Sequence, residues 1–120
     1  MTPRRFPALA TAGLLSLALM LPDGAEAASF DCSAARAADE AAVCSSCDLA
    51  QLDVKMATLF EVATHLVAMG QRGDMQDQQR QFLAARSACG ADTACLTRAY
   101  EGRIRVLDAA LKTIYTRGPF

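Results

Sequence analysis

Residues 79–107 have the sequence QRQFLAARSACGADTACLTRAYEGRIRVL, and this stretch decides the fold. It predicts two helices joined at a tight corner. Gly90 is suited to end the first helix just after Cys89, and Asp92 is suited to cap the start of the second. Apolar side chains recur at steps of three and four on both sides of the corner. A disulfide between Cys89 and Cys95 would hold the corner closed.

Working outward from the corner, the apolar spacing gives the extent of both helices. The second is predicted to run from Asp92 until Gly118 and Pro119 end it, with one face formed by Leu96, Tyr100, Arg103 or Ile104, Leu107, Leu111 and Ile114. The first is predicted to begin at Asp74 as N-cap, with one face formed by Met75, Gln78 or Gln79, Phe82, Leu83 and Arg86.

An earlier helix is predicted from Asp48 to about Met69, followed by a turn at Gly70–Gly73. Its apolar stripe consists of Leu49, Leu52, Met56, Leu59, Phe60, Ala63, Leu66 and Val67. Residues 28–44 are alanine-rich and are expected to form one or two helical turns. No segment alternates between apolar and polar residues as a strand would. Because short connections make consecutive helices antiparallel neighbours, the predicted fold is an all-α bundle of about three antiparallel helices with a short helical N-terminal appendage.

The first 27 residues have the three regions of a cleavable signal peptide. Two arginines precede an uncharged apolar run at residues 8–21, and the small-residue triplet at positions 25–27 predicts cleavage after Ala27. The run has about 14 residues, fewer than the roughly 20 that a membrane-spanning helix needs. We therefore expect an exported chain whose mature part, residues 28–120, is a single domain in the periplasm or outside the cell, free of the membrane.

The charge of the mature part argues against some classes of partner. The whole chain has a formal net charge of −1, and the leader contains two charges of each sign, so its removal leaves the net charge unchanged. A nucleic-acid-binding surface would be basic, so no nucleic-acid partner is expected. A charge near zero also gives little long-range attraction to a basic protein.

All five cysteines lie after the predicted leader, where an oxidising compartment favours disulfides. Besides the corner pair, Cys32 with Cys44 would tie the N-terminal segment to the start of the helix at Asp48. The sequence alone does not select among the possible pairings. Cys44 and Cys47 also form a C-x-x-C sequence, typical of thiol-redox enzymes, although the sheet that normally carries that motif is not predicted. Cys47 could instead link two chains as a covalent homodimer.

No other set of residues forms a recognisable catalytic or cofactor site, so we predict no enzyme and no cofactor. One alternative is a soft-metal site for Cu(I) that uses the single histidine and sulfur side chains: His65, Cys47, Met56, Met69 and Met75. Methionines at helical spacing are more often core residues. The acidic side chains are expected to lie on solvated helix faces rather than to form a catalytic acid and base pair. They include Asp39, Glu40, Asp53, Glu61, Asp74 and Asp77.

Five short patterns occur in order along the mature chain: Phe30-Asp31-Cys32, Glu40-x-x-x-Cys44, Leu49-Ala50-x-Leu52-Asp53, Gln79-Arg80-x-Phe82-Leu83-x-x-Arg86-x-x-Cys89 and Cys95-Leu96-x-x-x-Tyr100-x-x-Arg103-Ile104. Together they resemble the LprI-type domain, a family of small exported bacterial proteins classed as lysozyme inhibitors. The resemblance extends from about Phe30 to Leu107. Two positions depart from the family pattern: Phe82 replaces the usual Trp, and Cys47 is an additional cysteine.

The resemblance implies two disulfides and one unpaired thiol: Cys32–Cys44, Cys89–Cys95 and free Cys47. It also draws attention to polar residues that lie among apolar neighbours on their helices. We predict that these residues form a partly buried cluster of ion pairs and hydrogen bonds that sets the helix register: Asp53, Arg86 and Arg103, with Tyr100 nearby.

The family label implies that the chain binds lysozyme and blocks its cleft, in which two carboxyl groups flank the scissile bond. The predicted turn between Gly70 and Asp77 is the most suitable protruding element, with Arg72 and Asp74 as candidate contacts. Two alternatives stay open. One is an adaptor that binds another envelope protein through a helix face, and the other is the thiol or copper protein described above.

Overall fold

The computed structural model describes residues 27–118, and every regular element in that range is helical. A 3-10 turn, Cys32–Ala34, precedes four helices: α1 (Ala38–Ser45), α2 (Cys47–Leu66), α3 (Met69–Cys89) and α4 (Thr93–Tyr115). The predicted fold class, a small disulfide-linked helical bundle with a helical appendage, is confirmed. Apart from Ala27, the predicted leader lies outside the described residues, as does Pro119.

The three long helices run up, down and up, so that α2 and α4 are parallel and α3 is antiparallel to both. Local chemistry explains several of their ends. Ser46 caps α2 through a hydrogen bond from the backbone N–H of Leu49 to its Oγ, at 3.3 Å. Asp92 caps α4 as predicted, accepting the N–H of Cys95 at 3.0 Å. Gly90 follows α3 with a φ of 55°, which a residue with a Cβ rarely adopts.

The core consists of two apolar clusters along the bundle. The larger one lies between α1, α2, α3 and α4 and contains Val43, Leu49, Met56, Phe82, Leu96, Tyr100, Ile104 and Leu107. The smaller one lies near the C-terminal ends of α2 and α4 and contains Ala63, Val67, Leu111 and Ile114. Helix α3 contributes little to either, because it buries only Phe82 and Arg86.

The corner between α2 and α3 lies earlier than the sequence predicts. The predictions of a turn at Gly70–Gly73 and of a helix start at Asp74 are wrong, because only Val67 and Ala68 separate the two helices. The predicted turn therefore forms the first turn of α3. Of the described glycines only Gly90 has a positive φ, so the glycines of the predicted turn occupy ordinary helical backbone.

Arg72 explains how the two helices meet without a longer loop. Its Nε donates to the carbonyl oxygen of Thr64 at 2.8 Å, and its Nη2 donates to the carbonyl oxygen of Val67 at 3.4 Å. Carbonyl groups at the end of a helix lack partners within the helix and need others. A side chain from the first turn of α3 thus caps the C-terminal end of α2.

Candidate functional site

Four polar side chains from four helices meet beside the larger apolar cluster. We call them the buried polar cluster: Asp39 of α1, Asp53 of α2, Arg86 of α3 and Tyr100 of α4. All four are buried, and Tyr100 and Asp53 are 0 % and 1 % exposed. Each long helix and the appendage therefore contribute one member, and the members are brought together only by the complete fold.

Arg86 lies at the centre of the buried polar cluster. Its Nε donates to Asp39 Oδ2 at 2.8 Å, and its Nη1 donates to the Tyr100 hydroxyl at 3.3 Å. The same Nη1 is 3.9 Å from Asp53 Oδ1. The Tyr100 hydroxyl donates its proton to Asp53 Oδ1 at 2.9 Å. Two carboxylates thus share one guanidinium, and the phenol bridges Arg86 and Asp53.

These surroundings change the protonation behaviour of two members. Burial raises the pKa of Tyr100, and the neighbouring Asp53 carboxylate raises it further, so the phenol stays protonated and remains a donor. Burial alone would lower the pKa of Arg86, but its bonds to Tyr100 and Asp39 outweigh that effect and raise it. The guanidinium is therefore held in its charged form.

Each fully buried polar atom of the buried polar cluster has at least one hydrogen-bond partner. No buried side-chain nitrogen or oxygen among the described residues lacks a hydrogen-bond partner. Buried charges that are paired and bonded in this way stabilise a particular arrangement of helices, whereas the loss of one member leaves another uncompensated. The groups are bonded to one another, and the register-setting role of the cluster stays a prediction.

The structure brings together Asp53, Arg86 and Tyr100 but not Arg103, so the predicted membership is wrong in that one respect. Arg103 bonds instead to the neutral side chains of Gln79 (2.9 Å) and Gln78 (3.1 Å) and to the carbonyl oxygen of Met75 (3.2 Å). Burial lowers the pKa of Arg103. It lies one turn beyond Tyr100 on α4 and faces the side of α3, and no described carboxylate forms an ion pair with it.

Two partners in the buried polar cluster were not expected from the sequence. Asp39 is predicted to be solvated, yet it is buried and forms the closest ion pair with Arg86, at 2.8 Å. The backbone N–H of Ser29 donates to Asp53 Oδ2 at 2.6 Å. The one signal for Asp39 is its position in an alanine-rich segment close to Cys44, whose disulfide limits where that segment can lie.

The cysteines form the pairs that the family resemblance implies. Cys32 is bonded to Cys44, and Cys89 is bonded to Cys95 across the corner between α3 and α4. Cys47 is exposed and free. Because Cys44 is bonded to Cys32, the C-x-x-C sequence does not form a dithiol pair in this structure.

The proposed Cu(I) site is not formed, because its candidate ligands lie too far apart. Cys47 and His65 lie at opposite ends of α2 and are 18 residues apart, which corresponds to about 27 Å along a helix. His65 is exposed, and its Nδ1 lies 2.8 Å from the carbonyl oxygen of Glu61. Met56 is buried and accepts a hydrogen bond from Gln79. Within residues 27–118, no group of three or more His, Cys, Asp or Glu side chains could hold a metal ion.

The predicted partner-binding pair, Arg72 and Asp74, does not form a protruding turn. Arg72 is half-buried and its guanidinium is used to cap α2. Asp74 is exposed and lines a shallow pocket with Ala110 and Ile114 of α4. Any partner contact by these residues would have to involve a regular helix face rather than a loop.

A shallow groove between α3 and α4 is the better candidate for a contact surface. We call it the α3–α4 groove; its volume is about 410 Å³. Most of its lining is small or apolar: Phe82, Ala85, Ala99, Gly102 and Val106. Its polar edge consists of Gln78, Gln81, Arg98 and Arg103. None of them is acidic. Arg98 is exposed, and no described residue forms a hydrogen bond or ion pair with it.

Comparisons with other proteins neither support nor contradict the family resemblance, which rests on the sequence pattern alone. No protein-family model, curated protein or solved structure matches the chain. Among residues 27–118, no helix combines the length and the apolar character needed to cross a membrane.

Proposed function

We propose that this chain is an exported binding protein of the LprI type whose partner is a lysozyme. It would act by occupying the substrate cleft of the glycosidase. The two disulfides suit an oxidising compartment, and the ordered sequence pattern supports the family. The observation that carries the proposal is the α3–α4 groove, in which an exposed arginine lies beside an apolar floor that lacks any carboxylate.

The chemistry of the groove complements that of a glycosidase cleft. Such a cleft presents two carboxyl groups, and a guanidinium can bind a carboxylate through two parallel hydrogen bonds. Arg98 has no competing partner among the described residues, so pairing with an external carboxylate would not require an internal bond to break. Val106 is 50 % exposed and adds apolar surface to the same face.

The scaffold beside the groove is covalently constrained. The Cys89–Cys95 disulfide joins the end of α3 to the start of α4, the two helices that form the groove walls. A contact surface that is already held in its bound geometry loses less conformational entropy when it binds.

The test measures the turnover of chicken-type and invertebrate-type lysozymes with equimolar mature protein. Gly102→Glu would place a carboxylate in the groove, and Gly102→Ala is its matched control, since an added Cβ has only Arg105 Nη2 nearby, at 3.8 Å. We expect inhibition by the wild-type and Gly102→Ala proteins and at least about tenfold weaker inhibition by Gly102→Glu, because like charges face each other. Undiminished turnover of every lysozyme would exclude inhibition and favour the adaptor alternative.

Arg98→Ala examines the charge contribution separately. The matched control is Lys112→Ala, which removes one positive charge from an exposed position on the same helix, 14 residues further on. We expect Arg98→Ala to weaken inhibition by about tenfold, as loss of one charged hydrogen-bonded contact does, and Lys112→Ala to leave it unchanged. Equal effects of both would show that net charge, rather than the groove, matters.

A further inference from the structure

The segment just after the predicted cleavage site lies against the buried polar cluster. Ala28 and Phe30 are half-buried and pack on the larger apolar cluster, while Ala27 is exposed. The Arg86 guanidinium lies over the Phe30 ring, 5.4 Å from its centre. Between them the Ser29 N–H donates to Asp53 Oδ2. Ala28 therefore lies next to the residue that bonds a buried carboxylate.

Asp53 has an acceptor position left over. Its Oδ1 accepts from Tyr100 and faces Arg86, whereas its Oδ2 accepts one hydrogen bond from the described residues, that of Ser29. A carboxylate oxygen can accept about two hydrogen bonds. The charges are also unequal, because the cluster contains two carboxylates and a single guanidinium. A second positive charge with N–H donors would therefore be favourable at Oδ2.

Cleavage after Ala27 would create such a group at Ala28. Neighbouring backbone nitrogens are about 3 to 3.7 Å apart, so the Ala28 nitrogen lies within about 6 Å of Oδ2, given the 2.6 Å bond from Ser29. An opposite charge at about 4 to 6 Å stabilises an ionised group. In an uncleaved chain the same nitrogen is an uncharged amide.

We propose that leader removal after Ala27 creates an α-ammonium group that forms an ion pair with Asp53, and that this ion pair completes the buried polar cluster. The inference rests on the export and cleavage in the proposed function, but not on lysozyme as the partner. The groups that face the new ammonium are Asp53 of α2, with Tyr100 of α4, Arg86 of α3 and Asp39 of α1 behind it. Cleavage then changes the protein in two ways: it releases the chain and adds a missing charge to its interior.

The ion pair has a predictable pH dependence. A free α-amino group has a pKa of about 8, and a neighbouring carboxylate raises it in the folded protein. A group whose pKa is raised on folding contributes stability below its unfolded value and loses that contribution as pH rises through its folded value. The contribution of the ion pair is therefore present at neutral pH and disappears under alkaline conditions.

The first test measures the reactivity of the Ala28 amine. The full chain is exported with its own leader and purified, and its intact mass shows whether it begins at Ala28. An amine reagent is applied at about pH 8, and peptide mass mapping compares Ala28 with the exposed amine of Lys55 in the same molecule. Because the paired ammonium stays protonated, we expect Ala28 to react about tenfold more slowly relative to Lys55 in the wild type than in Asp53→Asn.

A second form keeps the test decisive if Asp53→Asn does not fold. It carries Gly-Ser in front of Ala28, which moves the ammonium group away from Asp53 and leaves all side chains unchanged. We expect this form to unfold at a lower urea concentration at neutral pH, with the difference vanishing at alkaline pH. Equal stability of the two forms at neutral pH, or an N-terminal amine that reacts as fast relative to Lys55 in the wild type as in the Gly-Ser form, would overturn the ion pair.

The outcomes separate the two proposals. A purified chain that does not begin at Ala28 overturns both the predicted cleavage and the ion pair. A chain that begins at Ala28 but shows no protection of its amine overturns the ion pair alone. Lysozyme inhibition is measured independently and bears on neither result.

Discussion

The two ends of the bundle are held together by different forces. One end, where α2 and α4 begin and α3 ends, contains both disulfides and the nearby buried polar cluster. We call it the stapled end. The opposite end contains the corner between α2 and α3 and the C-terminal part of α4, and we call it the open end. There the small apolar cluster and the Arg72 cap hold the helices without a disulfide or buried ion pair among the described residues.

This difference indicates where the molecule can open. Local unfolding starts where few apolar groups are buried and no covalent link restrains the chain. At the open end Met69 is 85 % exposed and Tyr115 is 59 % exposed, so much of the apolar surface there is not buried. We expect the stapled end to determine global stability and the open end to fluctuate independently.

The largest expected effect comes from removing the central charge of the stapled end. Arg86→Met would leave two buried carboxylates without their counter-charge, and we expect a loss of about 3 to 5 kcal/mol in the free energy of unfolding. Urea unfolding followed by circular dichroism measures it. Arg80→Met is the matched control, since Arg80 is exposed and its ion pair among the described residues is with Asp77 on its own helix; it should change stability by less than about 0.5 kcal/mol. Similar losses in both variants would contradict the central role of Arg86.

Removal of the Cys32–Cys44 disulfide should have the next largest effect on stability. The double variant Cys32→Ser with Cys44→Ser detaches the appendage from its anchor, and we expect a loss of about 2 to 3 kcal/mol from chain entropy. The same urea experiment applies, and Cys47→Ser is the control because Cys47 is free and exposed. If the double variant were as stable as the control, packing of α1 and the Asp39 ion pair would be sufficient to hold the appendage.

Alkaline titration of Tyr100 tests whether the stapled end excludes solvent. The pKa of Tyr100 is raised by burial and by Asp53, so its contribution to stability is full below its unfolded pKa of about 10 and is lost as pH rises further. In a Tyr115→Phe variant Tyr100 is the remaining one of two tyrosines. We expect its tyrosinate absorbance to appear only together with the loss of helical circular dichroism. Ionisation with the helices intact would show that the stapled end admits solvent.

The smallest effect is expected at the open end. Arg72→Ala removes the hydrogen bonds to Thr64 and Val67, and we expect a loss of about 1 kcal/mol. Amide hydrogen exchange in the last turn of α2 should become about fivefold faster, while exchange near Tyr100 should not change. Gln71→Ala, at an exposed neighbouring position, is the control. Faster exchange throughout the protein would mean that the two ends unfold together.

The sequence was most informative where periodicity and covalent chemistry act together. The spacing from Leu96 to Ile114 predicts the face of α4 that is buried, and the cysteines on either side of Gly90 predict the corner before it. A long amphipathic helix has one way to face a core, so its pattern contains most of the information about its packing.

Prediction failed where tertiary contacts outweigh local preference. Gly70 and Gly73 are common turn residues, yet the first turn of a helix tolerates them, and the bonds of Arg72 place the corner earlier. Arg103 resembles Arg86 in sequence context, but the α3 positions opposite it are glutamines rather than carboxylates. Asp39 lies 47 residues from Arg86, and no local pattern indicates how α1 is oriented.

The order in which the chain is synthesised has a consequence for the buried polar cluster. Its members are spread from Asp39 to Tyr100, and both Arg86 and Asp53 bond to partners 47 residues away. A nascent chain that ends before Tyr100 lacks the phenol that bridges Arg86 and Asp53. No shorter N-terminal fragment can form the complete native hydrogen-bond network, so the interior of this protein becomes complete only when most of its polypeptide has left the ribosome.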